Sequence, residues 1–154
     1  MLDVGQGLSL LWRSGGRTLL FDTGAGVDGG FTQVDKIVLP YFATKGIDKV
    51  DLLVISHSDN DHSGGLTALQ QSIPIDRHWG YEGQPCRVGL HERWPDGTDI
   101  TVLNGDGFGR DGVSSNNASC VVRIRHRGVS LLLTGDVTRT RELAMVRFWR
   151  AQLK

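Results

Sequence analysis

The chain has 154 residues, 39% hydrophobic and 22% charged, with 17 basic and 17 acidic side chains. That length suits one domain with a buried core, and the composition is that of an ordinary soluble globular protein. No apolar run approaches the roughly 20 residues that cross a bilayer, and none reads as a signal peptide, so any membrane or targeting segment is expected outside these residues.

The balanced charge hides an asymmetry. Residues 1–75 carry five basic and eight acidic side chains, and residues 76–154 carry twelve and nine. Residues 120–154 hold eight of those basic groups (Arg123, Arg125, Arg127, Arg139, Arg141, Arg147, Arg150 and Lys154) against Asp136 and Glu142. Such clustering draws in a polyanion such as nucleic acid, or is only a solvated strand edge and helix face.

In chain order, Leu8–Trp12, a Ser14-Gly15-Gly16 turn and Thr18–Phe21 read as strand, turn, strand. The second strand ends in Asp22-Thr23-Gly24, where Asp22 could open an Asx turn into a glycine-rich loop. Val34, Ile37, Val38, Tyr41 and Phe42 repeat at helical spacing over 32–45, with Gly46 as the stop and Pro40 as a kink. Lys49 to Ser56 is a buried strand, followed by a helix over 64–71 and a short strand from Ile75 to Trp79. Residues 80–116 read as loop up to a strand at Asp99–Leu103. The glycine run 105–109 lacks the strand and helix of a dinucleotide fingerprint, so no dinucleotide cofactor is expected and the run reads as a flexible loop. A hairpin over Ser119–Arg127 and Val129–Thr134 follows. Last comes a helix over 139–153, with Thr138 as N-cap and Leu143, Val146, Trp149 and Leu153 as its buried stripe. Strands alternating with helices indicate an α/β class, and the hairpins exclude an all-parallel sheet.

Chemistry concentrates in His57-Ser58-Asp59-Asn60-Asp61-His62, between the aliphatic strand Leu52–Ile55 and Gly64-Gly65. Four imidazole or carboxylate side chains within six residues of a strand-to-helix loop can fan around one point and hold divalent cations. The glycine-preceded helix start is also placed for an anion. Residues alone read Gly135-Asp136 as a turn after a strand. His78, His91 and His126 read as surface or packing histidines.

The stretch resembles the metal motif of the metallo-β-lactamase superfamily, with Asp59 where a second histidine is usual. That variant, together with Leu2-Asp3-Val4-Gly5-Gln6-Gly7, Asn117-Ala118-Ser119-Cys120-Val121 and Leu132-Leu133-Thr134-Gly135-Asp136, is similar to the ComEC competence family. The resemblance runs through the whole chain. It implies a metallo-β-lactamase-like αββα sandwich, one domain over 1–154, incomplete at the C-terminus and lacking final strands and a histidine ligand. It implies two divalent metal ions: His57 and Asp59 on one, Asp61 and His62 on the other, and Asp136 bridging, with Asp61 and Asp136 catalytic. Asp22, Asn117 and Ser119 would support these ligands from behind.

Carboxylate in place of imidazole at 59 favours Mn²⁺ over Zn²⁺, with Mg²⁺ also suited. The resemblance therefore implies a phosphodiesterase acting on DNA during bacterial DNA uptake. Its partners would be DNA and a membrane channel part of the same or a larger protein, with the domain on the periplasmic or extracellular side of the inner membrane. The alternatives are a lactone, thioester or β-lactam hydrolase of the same fold, and a non-catalytic nucleic-acid-binding module. In an oxidising compartment Cys86 and Cys120, the only cysteines, would bridge the loop to the hairpin or else stay as two buried thiols.

Overall fold

Side-chain alternation along eight strands builds two sheets that face each other. The computed structural model describes residues 1–27, 29–105 and 114–150. Strands β1 (Leu10–Ser14), β2 (Arg17–Phe21), β3 (Leu52–Ile55) and β4 (His78–Gly80) form the first sheet in that order. The β1–β2 pair is an antiparallel hairpin, and β2, β3 and β4 run parallel. Strands β5 (His91–Arg93), β6 (Asp99–Asn104), β7 (Val121–His126) and β8 (Val129–Leu133) form a second sheet, antiparallel throughout.

Leu19, Phe21, Leu52, Val54 and Trp79 point inward to meet Ile100, Val102, Val122, Ile124 and Leu133. The opposite faces need cover, because parallel strands are apolar on both sides. Leu20, Leu53 and Ile55 pack under Val34, Val38 and Phe42, from the helical segment that ends in α1 (Leu39–Lys45), and under Leu66 and Leu69 of α3 (Leu66–Ser72), which follows the short α2 (Asn60–Ser63). On the outer side of the second sheet, Leu103 and Val121 pack under Met145 and Trp149 of α4 (Arg139–Trp149, the last helix). Helix, sheet, sheet, helix is the expected order of layers.

Several local expectations change. The helix over 32–45 begins as a π-turn, Val34–Val38, and becomes the α-helix α1, Leu39–Lys45. Leu39 N–H bonds to the carbonyl of Val34, five residues back, just before Pro40, which has no N–H to give; the widened turn relieves the clash a proline makes with the preceding turn. The stretch 80–116 also contains β5, which was read as loop. Its central Glu92 points inward, a charge where an apolar residue signals a strand, and is held by Arg17 Nη1 at 3.4 Å, Arg77 Nη1 at 3.1 Å and Trp94 Nε1 at 3.2 Å.

The stripe of α4 is also corrected. Leu143 and Val146 are 51% and 55% exposed, while Met145 and Trp149 are buried. Trp149 Nε1 donates to the Leu103 carbonyl at 2.9 Å, which sets the rotation of the helix. Leu153, the end of that helix and glycines 107 and 109 lie outside the described residues.

The turns at the far end of the sandwich are tied together. Ser14 Oγ donates to Asp96, and that bond, with the Thr98 N–H, lowers the Asp96 carboxyl to about 2.

Cys86 and Cys120 form a disulfide with Cα atoms 5.6 Å apart. It closes a loop with a sequence separation of 34. Reduction, or Cys86→Ser with Cys120→Ser, is expected to cost roughly 3–4 kcal/mol of unfolding free energy by loop-closure entropy. Urea midpoints with and without dithiothreitol measure this, and an unchanged midpoint would show that the bridge does not constrain the unfolded chain.

Candidate metal centre

The parallel pairing of β2 with β3, Phe21 opposite Val54, brings two strand ends side by side. The first ends in Asp22 and the second in Ser56-His57. Asp22 N–H donates to the Val54 carbonyl at 2.8 Å, and the backbone there turns left-handed, φ 59°. A left-handed non-glycine residue is costly and persists only where its surroundings hold it. Here the surroundings are the Asp22 carboxylate's own partners: Ser56 N–H at 2.6 Å, Ser56 Oγ at 2.8 Å and His62 Nδ1 at 2.7 Å. Both Asp22 oxygens are taken by Ser56 and His62 rather than by an Asx turn into the glycine-rich loop.

This network assigns the protons. His62 gives Nδ1–H to Asp22, so its Nε2 is a bare lone pair. Ser56 gives its hydroxyl proton to Asp22, so its oxygen accepts from His57 Nδ1 at 2.9 Å, and His57 Nε2 is bare too. One buried carboxylate thus sets both tautomers.

The two rings lie 4.3 Å apart. His57, His62 and Asp136 each offer a ligand atom, all within 4.8 Å of one another. His62 Nε2 is 3.3 Å from Asp136 Oδ1 and 3.9 Å from Asp61 Oδ2, and His57 Nε2 is 3.5 Å from Asp59 Oδ2. The imidazoles are buried, while the three carboxylates sit at the mouth, half-exposed. His57 Nε2 is buried yet makes no hydrogen bond, although a carboxylate faces it. A divalent cation between them would satisfy both, so the residues fit the ions implied for them. His78, His91 and His126 fall outside the cluster among the described residues.

The surrounding loops fix the carboxylates. Leu8 N–H donates to the Asp61 carbonyl at 3.1 Å. At Gly7, φ 124°, a Cβ would come within 2.2 Å of that same oxygen, which explains the glycine in the opening motif. Asn117 Oδ1 accepts from Thr138 N–H at 3.1 Å and Thr138 Oγ1 at 2.8 Å. Thr138 is therefore at the N-cap position, but its hydroxyl serves Asn117 and not the helix, and the pair pins the loop that carries Asp136. Ser119 is buried against Gly135, whose absent Cβ would lie 3.1 Å from it, so it sets the height of that loop. Ser115 Oγ donates to Asp59 Oδ1 at 3.1 Å.

The helix start after the motif is not free for an anion. Gly65 N–H is taken by Thr23 Oγ1 at 3.1 Å, and Gly65 and Leu66 are buried. The residue that sequence reasoning missed is Ser56; a hydroxyl directly before the first histidine of the motif was the available signal. Beside the carboxylates opens a cleft of about 390 Å³, lined by His57, Ser58, Tyr81, Glu82 and the disulfide.

Burial pushes the Asp22 carboxyl above its ordinary value, against the pull of its hydrogen bonds. Burial alone would lower His62, but the hydrogen bond to Asp22 and the charges of Asp22, Asp136 and Asp61 outweigh it and raise the imidazole above 6.5.

The pattern of the Metallo-beta-lactamase superfamily matches residues 2–153. Competence protein ComA of Neisseria gonorrhoeae is 37% identical over 150 residues, covering 94% of this chain and 20% of that protein. Recombination protein 2 of Haemophilus influenzae is 31% identical over 154 residues, covering 95% and 19%. The chain thus spans about a fifth of these relatives. A metallo-beta-lactamase from Cronobacter sakazakii superposes with TM-score 0.60 at 12% identity, over 97% of this chain and 70% of that one, and carries the fold alone.

Metal binding requires neutral His62, and its raised pKa means that proton competition sets in above pH 6.5 and strengthens as pH falls. In the metal-free protein the His62 ring resonances are expected to titrate above 6.5. In Asp22→Asn, where burial acts without the carboxylate, they should titrate lower, and ion affinity should fall about 10–100-fold. A parent midpoint at or below 6.5 would remove the carboxylate's role.

Proposed function

The chain belongs to the metallo-β-lactamase superfamily, and from that premise we propose that it is a two-metal phosphodiesterase that cuts DNA during bacterial DNA uptake. The observation that carries this reading is the donor set. Asp136 clusters with both imidazoles, His57 and His62, while Asp59 adds a carboxylate 3.5 Å from His57 and Asp61 one 3.9 Å from His62. Oxygen-rich sites suit Mn²⁺, with Mg²⁺ or Zn²⁺ as lesser occupants. His57 and Asp59 would hold one ion, His62 and Asp61 the other, and Asp136 would lie between. Such ions, when bound, polarise a phosphoryl oxygen and lower the pKa of water toward 7.

The chain's own groups do the rest. Asp22 and Ser56 keep both imidazoles, when neutral, in the ligating tautomer, with Nε2 turned toward the carboxylates. Asp61 and Asp136, at the open mouth, face the side from which a substrate strand would arrive and are the catalytic carboxylates of this reading. The cleft beside His57 and Ser58 offers room for a nucleotide unit next to the ions. A lactone, thioester or β-lactam hydrolase would be better served by the histidine that Asp59 replaces.

Three further observations support the setting. The relatives named above include a competence protein, of which this chain spans about a fifth. Among the described residues no helix is long and apolar enough to cross a membrane, so the channel part would come from other residues of a longer protein. The Cys86–Cys120 disulfide suits the oxidising, outer side of a bacterial inner membrane.

Cleavage of single- and double-stranded DNA is expected with Mn²⁺ and is expected to fall by about a hundredfold or more in Asp61→Ala and Asp136→Asn, as two-metal chemistry requires both ions. Asp59→His should move the preference toward Zn²⁺. Turnover by the parent that is equal or better with Zn²⁺ would overturn the ligand-hardness argument.

A further inference from the structure

The second sheet carries its own charge pattern on the face turned away from the core. Outward positions on β7 alternate, and α4 covers only the first of them, Val121. The next are Arg123 and Arg125, and Arg127 follows at the hairpin turn. Across the sheet Arg125 pairs with Asp99 and Asp99 with Arg93. At this end, away from the motif loop and Asp136, Arg93, Arg125, Arg127, His126 and Asp99 line a cleft of about 350 Å³.

Three guanidinium groups meet one carboxylate there. Among the described residues none of the three makes an ion pair, whereas Arg17 and Arg77 both pair with Glu92. The Asp99 carboxylate is itself engaged, accepting from Thr101 Oγ1 at 3.0 Å. Arg93 and Arg125 are exposed; Asp99 is the acid that lines the cleft, and Asp96 stands behind its wall, Oδ2 3.8 Å from His126 Nδ1. The His126 ring is held from behind, by Thr98 Oγ1 at 3.0 Å on Nδ1 and by the edge of Trp12, so it shapes the wall.

We propose that this cleft, on the outer face of the second sheet, is a binding site for the phosphates of a nucleic-acid strand, separate from the metal centre. Planar guanidinium forks match phosphate oxygens in pairs, and Arg93 and Arg125 sit in register on either side of Asp99, two strand spacings or about 10 Å apart, with Arg127 beyond them at the turn. A row suits a linear polyanion better than a single ion. The choice of nucleic acid rests on the phosphodiester reading above; the charge pattern does not.

The test separates the two. Binding of a fluorescein-labelled single-stranded 20-mer to the full chain is followed by anisotropy in chelator, where no strand is cut, across a range of potassium chloride concentrations. Replacing Arg93, Arg125 and Arg127 by Gln should weaken binding at least tenfold at low salt. It should also reduce the slope of log K against log salt by about 2, since each phosphate contact on a single strand contributes about 0.7. A charge-matched variant on α4, with Arg139, Arg147 and Arg150 replaced by Gln, should change the slope by less than half as much. Metal-dependent hydrolysis of bis-p-nitrophenyl phosphate should stay within twofold in both variants, with unchanged thermal unfolding. Equal losses in the two variants would reduce the effect to net charge and overturn the site. So would retention of oligonucleotide by a variant that loses anionic phospholipid vesicles. Absence of DNA cleavage with intact, arginine-dependent binding would overturn the proposed function and leave the site standing.

Discussion

Everything near the metal centre depends on one buried carboxylate. Asp22 has no exposure to solvent and sits in a left-handed backbone, two costs that an isolated aspartate would not bear. They are offset because each oxygen finds a donor: the Ser56 N–H on one, and the Ser56 hydroxyl with His62 Nδ1 on the other. Removing those donors would leave an uncompensated buried charge, which is far more damaging than losing the whole group. The arrangement requires β2 and β3 to be parallel neighbours, since only then do their carboxyl ends lie together. That requirement in turn demands helices on the sheet's outer face, which the segment from Val34 to Lys45 and the helix after the motif supply.

The second constraint is close approach. The metal loop is clamped by two glycines that have no room for a side chain and by one backbone hydrogen bond. Gly7 rides on the Asp61 carbonyl, and Gly135 is pressed between Ser56 and Ser119. Cys120 N–H bonds to the Ser56 carbonyl at 2.8 Å, so the strand that follows Ser119 is stitched to the strand that bears the first histidine. Asp136 reaches the histidines because both sheets end at the same level. The opening glycines, the Asn117–Cys120 segment and the Gly135-Asp136 turn are thus three parts of one clamp.

Much of this is legible in the sequence. Buried strands announce themselves as aliphatic runs, so Leu52–Ile55 and the hairpin of β7 and β8 stood out, as did a ligand-dense loop after the first of them. Asp22 was legible through resemblance; residue by residue it competed with a turn. What stayed hidden was hidden for physical reasons. β5 carries its inward charge at the centre of three residues, so its period is masked by Glu92. The rotation of α4 is decided by a tryptophan N–H seeking the Leu103 carbonyl, a tertiary bond that outweighs the apolar period of Leu143 and Val146. Ser56 looked like a strand terminus because nothing in a single hydroxyl reveals that it relays one carboxylate to a second imidazole.

The sheet connectivity has a consequence for how the molecule assembles. Among the described residues, the first sheet comes from within 10–80 and the second from within 91–133, so the two draw on separate stretches of chain. The β1–β2 hairpin and the antiparallel second sheet pair neighbouring strands, whereas the sheet-to-sheet interface joins residues far apart in sequence. His57 and His62 belong to the first stretch, and Asp136 follows the second. The ligand cluster therefore does not exist in either half alone. It needs both layers in place, so an ion held by all three side chains would clasp one layer to the other, and its residence time would follow how often the two part.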